Sequence, residues 1–149
     1  MKKKQALLLV ISILIITQLI GMHVGRNLSE SVNFKWFFYN RWESPQKGDY
    51  VMFYSVRDPL QVIPKDLPLL KRMACTSGHE IKADEKGFWC DGSLISERTD
   101  PDNMTLYYEG IIPEGMFFAT GDHPRSYDSR LWGLAYEKDV IGVVHPLYF

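Results

Sequence analysis

Between Lys4 and Arg26 the chain carries no charged residue. The 21 positions from Gln5 to Gly25 are mostly Leu, Ile and Val, with Ser12, Thr17, Gln18 and His23 as the polar exceptions. Helix needs about 20 residues to span a bilayer core, so the segment reads as an uncleaved transmembrane anchor. A cleaved secretory signal is the rival reading, but Gly21 to Gly25 makes a poor small-x-small cleavage site. Lys2, Lys3 and Lys4 would stay inside by the positive-inside rule, and everything after Gly25 would lie outside.

The remainder has no excess of basic residues. Three of the 17 lysines and arginines precede the apolar segment, so the rest are outnumbered by the 18 acidic residues. A body of that sign offers no footprint for phosphate backbones, and nucleic acid is not expected as a partner. Length excludes much: 149 residues make one ordinary domain. The composition, 46% hydrophobic and 23% charged, excludes disorder. No internal repeat or low-complexity stretch is visible.

Cysteine is scarce. Cys75 and Cys90 both follow the apolar segment, and an even count in a translocated region favours a disulfide. The alternatives are two buried thiols, or a metal site with His79 for which there is no CxxC spacing. Neither a metal nor a cofactor is expected.

Beyond the apolar segment no helical period holds for long. Short apolar or aromatic runs are punctuated by Gly, Pro, Asn and Asp, which marks a mostly β domain. Expected strands are Tyr50 to Val56, Leu69 to Cys75, Glu80 to Ala83, Phe88 to Ile95, Met116 to Thr120 and Val140 to Val144. Asp91-Gly92 reads as a tight hairpin turn needing positive φ. Leu131 to Tyr136 suits one helical turn. Arg57 to Pro68 and Glu97 to Met104 read as loops. Phe34, Trp36, Phe37, Phe38, Tyr39 and Trp42 suit either a core or an interfacial aromatic belt.

Three polar features stand out. In Leu69-Leu70-Lys71-Arg72-Met73, strand alternation puts Lys71 between Leu69 and Met73, where desolvation can lower its pKa towards that of a base. Asn27-Leu28-Ser29-Glu30-Ser31-Val32 follows the apolar segment directly. Gly121-Asp122-His123-Pro124-Arg125-Ser126-Tyr127-Asp128-Ser129-Arg130 would pass for a surface loop by composition.

Their order resembles that of the type I signal peptidases. Gly48-Asp49-Tyr50-Val51-Met52-Phe53, Leu70-Lys71-Arg72-Met73 and Ile112-Pro113-Glu114-Gly115-Met116 match successive elements of that family. Gly121-Asp122 through Ser126-Tyr127-Asp128-Ser129-Arg130-Leu131-Trp132-Gly133 matches its most specific box. The short chain and the serine region are nearer the conjugative-transfer, pilin-processing branch of the TraF type. Departures are Asn33, Lys35 and His123, where the family has proline, glycine and asparagine.

The resemblance implies a signal-peptidase-like coiled β-sheet or β-barrel after one transmembrane helix. It divides the chain into a cytoplasmic tail (1–4), an anchor (5–25) and an extracytoplasmic serine peptidase domain (26–149) on the cytoplasmic membrane. It implies Ser31 as nucleophile, Lys71 as general base, Ser29 as oxyanion donor, Ser126 orienting the lysine, and Asp128 with Arg130 as a supporting ion pair. Membrane-tethered precursors, membrane lipid and the conjugative transfer machinery are the implied partners. A non-catalytic, membrane-anchored assembly or binding module of the same fold is the alternative. A Ser-His-Asp arrangement through His123 ranks below the Ser-Lys pair.

Overall fold

Apolar alternation becomes short antiparallel strands in the computed structural model, which describes residues 3–19, 22–54, 63–64, 66–98 and 108–148. In chain order these are α1 (Lys3–Leu19), β1 (Met22–Arg26), β2 (Trp36–Asn40), β3 (Tyr50–Phe53), β4 (Leu69–Thr76), β5 (Glu80–Ala83), β6 (Gly87–Cys90) and β7 (Ser93–Glu97). Then come β8 (Gly110–Ile111), β9 (Met116–Thr120), α2 (Ser129–Trp132), β10 (Ala135–Tyr136), a 3-10 turn (Glu137–Asp139) and β11 (Val140–Leu147).

The transmembrane helix expected from Gln5 to Gly25 is corrected. Among the described residues no helix is long and apolar enough to cross a membrane. α1 has 17 residues, two of them Lys3 and Lys4. Its length is about 25 Å, against a hydrocarbon core of about 30 Å. The last part of the expected anchor is strand instead: Met22–Arg26 pairs as β1 with β2, His23 stacking on Tyr39 at 5.0 Å. The single-pass topology inferred from a crossing loses its basis.

One sheet has seven strands in the order β1-β2-β11-β3-β4-β9-β10, and the other has four in the order β7-β6-β5-β8. Every pairing between these strands is antiparallel. The mostly β expectation therefore stands. The larger sheet runs open from edge strand β1 to edge strand β10, with no pairing between them among the described residues, so it is not a closed barrel.

Glu80–Ala83 and Met116–Thr120 form with the expected bounds. The Phe88 to Ile95 stretch is the hairpin β6–β7, turning at Asp91 (φ 49) and Gly92 (φ 77) as a two-residue loop of that type requires. Leu131 to Tyr136 is corrected: the helical turn starts earlier, at Ser129, and Ala135–Tyr136 is strand. Ser55, Val56 and most of the loops at Arg57 to Pro68 and Glu97 to Met104 lie outside the described residues.

Three packed groups hold the sheets. Val51, Phe53, Met73, Phe117, Ala119, Trp132 and Ala135 form the first, beneath β3, β4 and β9. Val32, Phe34, Phe37, Leu70 and Val144 form another, which seats the turn after β1. The aromatic cluster thus divides: Phe34 and Phe37 are core, while Trp36 and Trp42 are exposed.

The remaining group contains Cys75, Ile81, Phe88, Cys90, Ile112, Phe118 and Leu134 under the smaller sheet. Within it Cys75 of β4 and Cys90 of β6 are disulfide-bonded, with Cα atoms 5.8 Å apart, tying one sheet to the other. That leaves no thiolate for a metal, and His79 pairs with Asp91 instead. Closing a loop of this 15-residue separation stabilises by about 3 kcal/mol on chain-entropy grounds. Reduction should lower the urea midpoint accordingly, and denatured, unreduced protein should take up no thiol label. Two labelled cysteines without reductant would contradict the bond.

Candidate active site

Ser31 stands on a turn between β1 and β2, anchored by its buried neighbour Val32. Asn27 organises this turn. Its Oδ1 accepts from the Ser29 N–H (3.1 Å) and the Ser29 hydroxyl (3.0 Å), and its Nδ2 donates to the Ser29 carbonyl at 2.6 Å. The Ser29 and Ser31 hydroxyl oxygens are 2.8 Å apart. A hydroxyl has one proton, so if Ser29 donates to Asn27 then Ser31 donates to Ser29. Asn27 is a residue that the sequence reading passes over. Its signal, an Asn two residues before a Ser in a turn, is a known side-chain turn motif.

Lys71 is on β4, directly opposite Val51 of β3. Strand alternation places it on the face of Leu69 and Met73, both packed in the first core group. Only 4% of the residue is exposed. Burial is the main reason that its pKa falls from 10.5 to about 8; Arg130 lowers it further, while the Asp128 and Asp122 carboxylates oppose the shift. An amine of this kind is substantially neutral near pH 8 and can accept a proton.

Ser29, Ser31, Lys71 and Ser126 all line one cleft of about 960 Å³. The Ser126 hydroxyl is buried and has no hydrogen-bond partner among the described residues. Gly121 permits the close approach of these parts. A Cβ there would lie 2.2 Å from the Ser126 Oγ and 2.6 Å from the Ser31 carbonyl oxygen, so any side chain would push them apart.

Asp128 and Arg130 lie behind the cleft, both almost fully buried. The Asp128 carboxylate accepts from Arg130 Nε (2.7 Å), Arg130 Nη2 (2.6 Å), the Arg130 N–H (3.2 Å) and the Gly121 N–H (2.8 Å). Arg130 also donates to the His123 and Ser126 carbonyls and, through Nη1, to the Ser96 hydroxyl of β7 at 2.9 Å. Local sequence explains the start of this: Asp128 caps the short helix α2 by accepting from a first-turn amide.

His123 turns back on its own loop, its Nδ1 accepting from the Arg125 N–H at 3.1 Å. Asp122 is engaged by Asn33, Tyr50 and Arg72, and Asp128 by Arg130. The Ser-His-Asp arrangement therefore has no geometry here.

A turn carrying two serines, a desolvated lysine and a buried hydroxyl without a partner among the described residues surround one cleft. Acyl transfer uses residues of these types. The chain belongs to the family described as signal peptidase, peptidase S26, whose model matches residues 3–149. It is 35% identical over 72 residues to a signal peptidase I of Haemophilus influenzae, a match covering 43% of this chain and 21% of that protein's length. A solved structure of a signal peptidase I from Enterococcus faecalis is similar at a TM-score of 0.48 and 26% identity. That likeness covers 68% of this chain and 97% of the other.

Proposed function

We propose that this chain is a serine endopeptidase that removes signal or leader peptides from translocated proteins, with Ser31 as nucleophile and Lys71 as general base. The observation that carries the reading is Lys71, a buried amine with a pKa near 8 that shares a cleft with Ser31. Ser31 Oγ attacks the scissile carbonyl while Lys71 Nζ takes its proton. The oxyanion is held by the Ser31 N–H and the Ser29 hydroxyl. The lysine ammonium protonates the departing amine, leaving an acyl-enzyme on Ser31. Water then gives its proton to Lys71 and attacks the ester, and Ser31 recovers its proton as the acid product leaves. Ser126 orients the lysine amine, and Asp128 with Arg130 supports the wall behind it.

The substrate class we propose is a membrane-tethered precursor, and in particular a pilin precursor handled with a conjugative transfer apparatus, as in the TraF-type branch. Residues 26–149 would then supply the peptidase parts in an extracytoplasmic, oxidising compartment, which suits the Cys75–Cys90 disulfide. α1 exposes ten large apolar side chains and would rest against lipid at the cytoplasmic membrane.

The test is the intact mass of a purified pilin precursor incubated with and without the protein. Loss of the leader supports the reading; a leader fragment lighter by one water than its free acid means that the acyl group closed on an amine rather than passing to water. An unchanged precursor mass contradicts it. In the same assay under single turnover, Ser29→Ala should cleave about 10²–10³ times more slowly, the usual cost of one oxyanion donor. Ser29→Thr keeps a hydroxyl and should retain far more activity, with substrate affinity little changed in either variant. Equal rates for Ser29→Ala and wild type would leave that hydroxyl without a role.

A further inference from the structure

Asp122 is the centre of a contact set that proton transfer between a serine and a lysine does not itself require. One carboxylate oxygen accepts from the backbone N–H of Asn33 (3.0 Å) and from the Tyr50 hydroxyl (2.7 Å). The other is 3.3 Å from Arg72 Nη2. The Asp122 N–H in turn donates to the carbonyl of Ser31 at 2.7 Å. One residue thus grips the nucleophile turn on both sides of Val32.

The far end of this set is fastened to the lysine strand. Tyr50 and Arg72 are directly opposite each other in the β3–β4 ladder, one rung from the Val51–Lys71 pair. The Arg72 guanidinium lies over the Tyr50 ring, 4.3 Å from its centre, and donates to its hydroxyl. The ring itself packs edge-on against Phe34 at 4.8 Å, in the core group that holds Val32.

We infer that Tyr50, Arg72 and Asp122 act as positioning residues, a latch that sets the Ser31 turn against the strand carrying Lys71. The inference rests on the reading of Ser31 and Lys71 as nucleophile and base. The need for a latch is physical. Ser31 stands on a turn whose neighbours Leu28, Ser29 and Glu30 are exposed, so no ladder fixes its height above Lys71. A misplacement of about 1 Å can cost roughly 10²-fold in rate. Burial, and then the bond to Asp122, raise the Tyr50 pKa above its ordinary value, so the phenol stays a donor throughout the working range.

Tyr50→Phe tests this, because it keeps the ring against Phe34 and removes only the hydroxyl. The measurement is single-turnover acylation by a peptide ester, followed as the mass gained on Ser31. Removing one of several contacts should slow acylation by about tenfold, with ester affinity and thermal midpoint little changed. Tyr50→Phe should also cost nothing further in an Asp122→Ala background, since the hydroxyl acts through that carboxylate. Wild-type acylation by Tyr50→Phe, with the acyl group on Ser31, would overturn the latch alone. So would losses in the two variants that simply multiply. Full acylation of a Ser31→Ala control would overturn the underlying assignment, and the latch with it.

Discussion

Ser31→Ala and Lys71→Met should each reduce precursor cleavage by about 10⁴-fold or more, as loss of a nucleophile or its base does in serine peptidases. The two variants should part company in stability. Lys71 is buried with a folded pKa near 8, against 10.5 for an unperturbed lysine. Below pH 8 the folded protein must hold a desolvated ammonium, and the whole penalty is present. As pH rises from about 8 to 10.5 the unfolded chain binds more protons than the folded one, so stability rises across that window. The shift bounds the penalty at about 3 kcal/mol. Lys71→Met, which fills the same space without charge, should therefore be inactive yet more stable than wild type at pH 7. Wild-type cleavage should rise with pH through about 8 as the amine becomes neutral. A rate that is flat from pH 6 to 9, or a Lys71→Met protein that still cleaves, would remove the lysine from the mechanism.

Arg130→Met should be the most damaging structural change. It removes both charge-assisted bonds to Asp128 and the ties to the His123 carbonyl and the Ser96 hydroxyl. Asp128 would be left as a buried carboxylate with no countercharge in contact. Breaking a buried pair in this way typically costs about 3–5 kcal/mol. In a domain whose total stability is about 5–15 kcal/mol, that endangers the fold itself. Urea unfolding should show a midpoint far below wild type with an unchanged slope. The double variant Asp128→Asn/Arg130→Met removes both charges and should recover part of the loss. A wild-type midpoint for Arg130→Met would mean that the pair is not structural.

The sheet was partly legible because its strands obey local rules. Met116–Thr120 and Glu80–Ala83 are bounded by turn residues, and Asp91-Gly92 has one economical backbone solution. Where local signals compete, reading fails. Met22 to Gly25 continue an uncharged run that ends in a glycine, so they read as more of the apolar segment. Their strand conformation comes from pairing with Trp36–Asn40, a partner that no local pattern names. The same long-range pairing sorts the aromatic cluster, leaving Trp36 exposed while Phe37 is buried and Tyr39 packs against its core group.

For the site, strand alternation alone placed Lys71 among apolar neighbours, and the order of serine, lysine and the Gly121 to Arg130 box marked the remaining candidates. The mostly β character and the disulfide partners also followed from the sequence itself, since each depends on near neighbours or on there being only two cysteines. What only the tertiary structure decided depends on residues far apart. That Met22–Arg26 is strand rather than helix depends on its pairing with β2. The place of Asp122 depends on Asn33 and Tyr50, which are 89 and 72 residues away. The depth at which Lys71 is buried depends on β3 and β9 closing over either side of its strand. Desolvation and hydrogen-bond geometry belong to the packed chain, because they are set by atoms whose distance in space bears no relation to their distance in sequence.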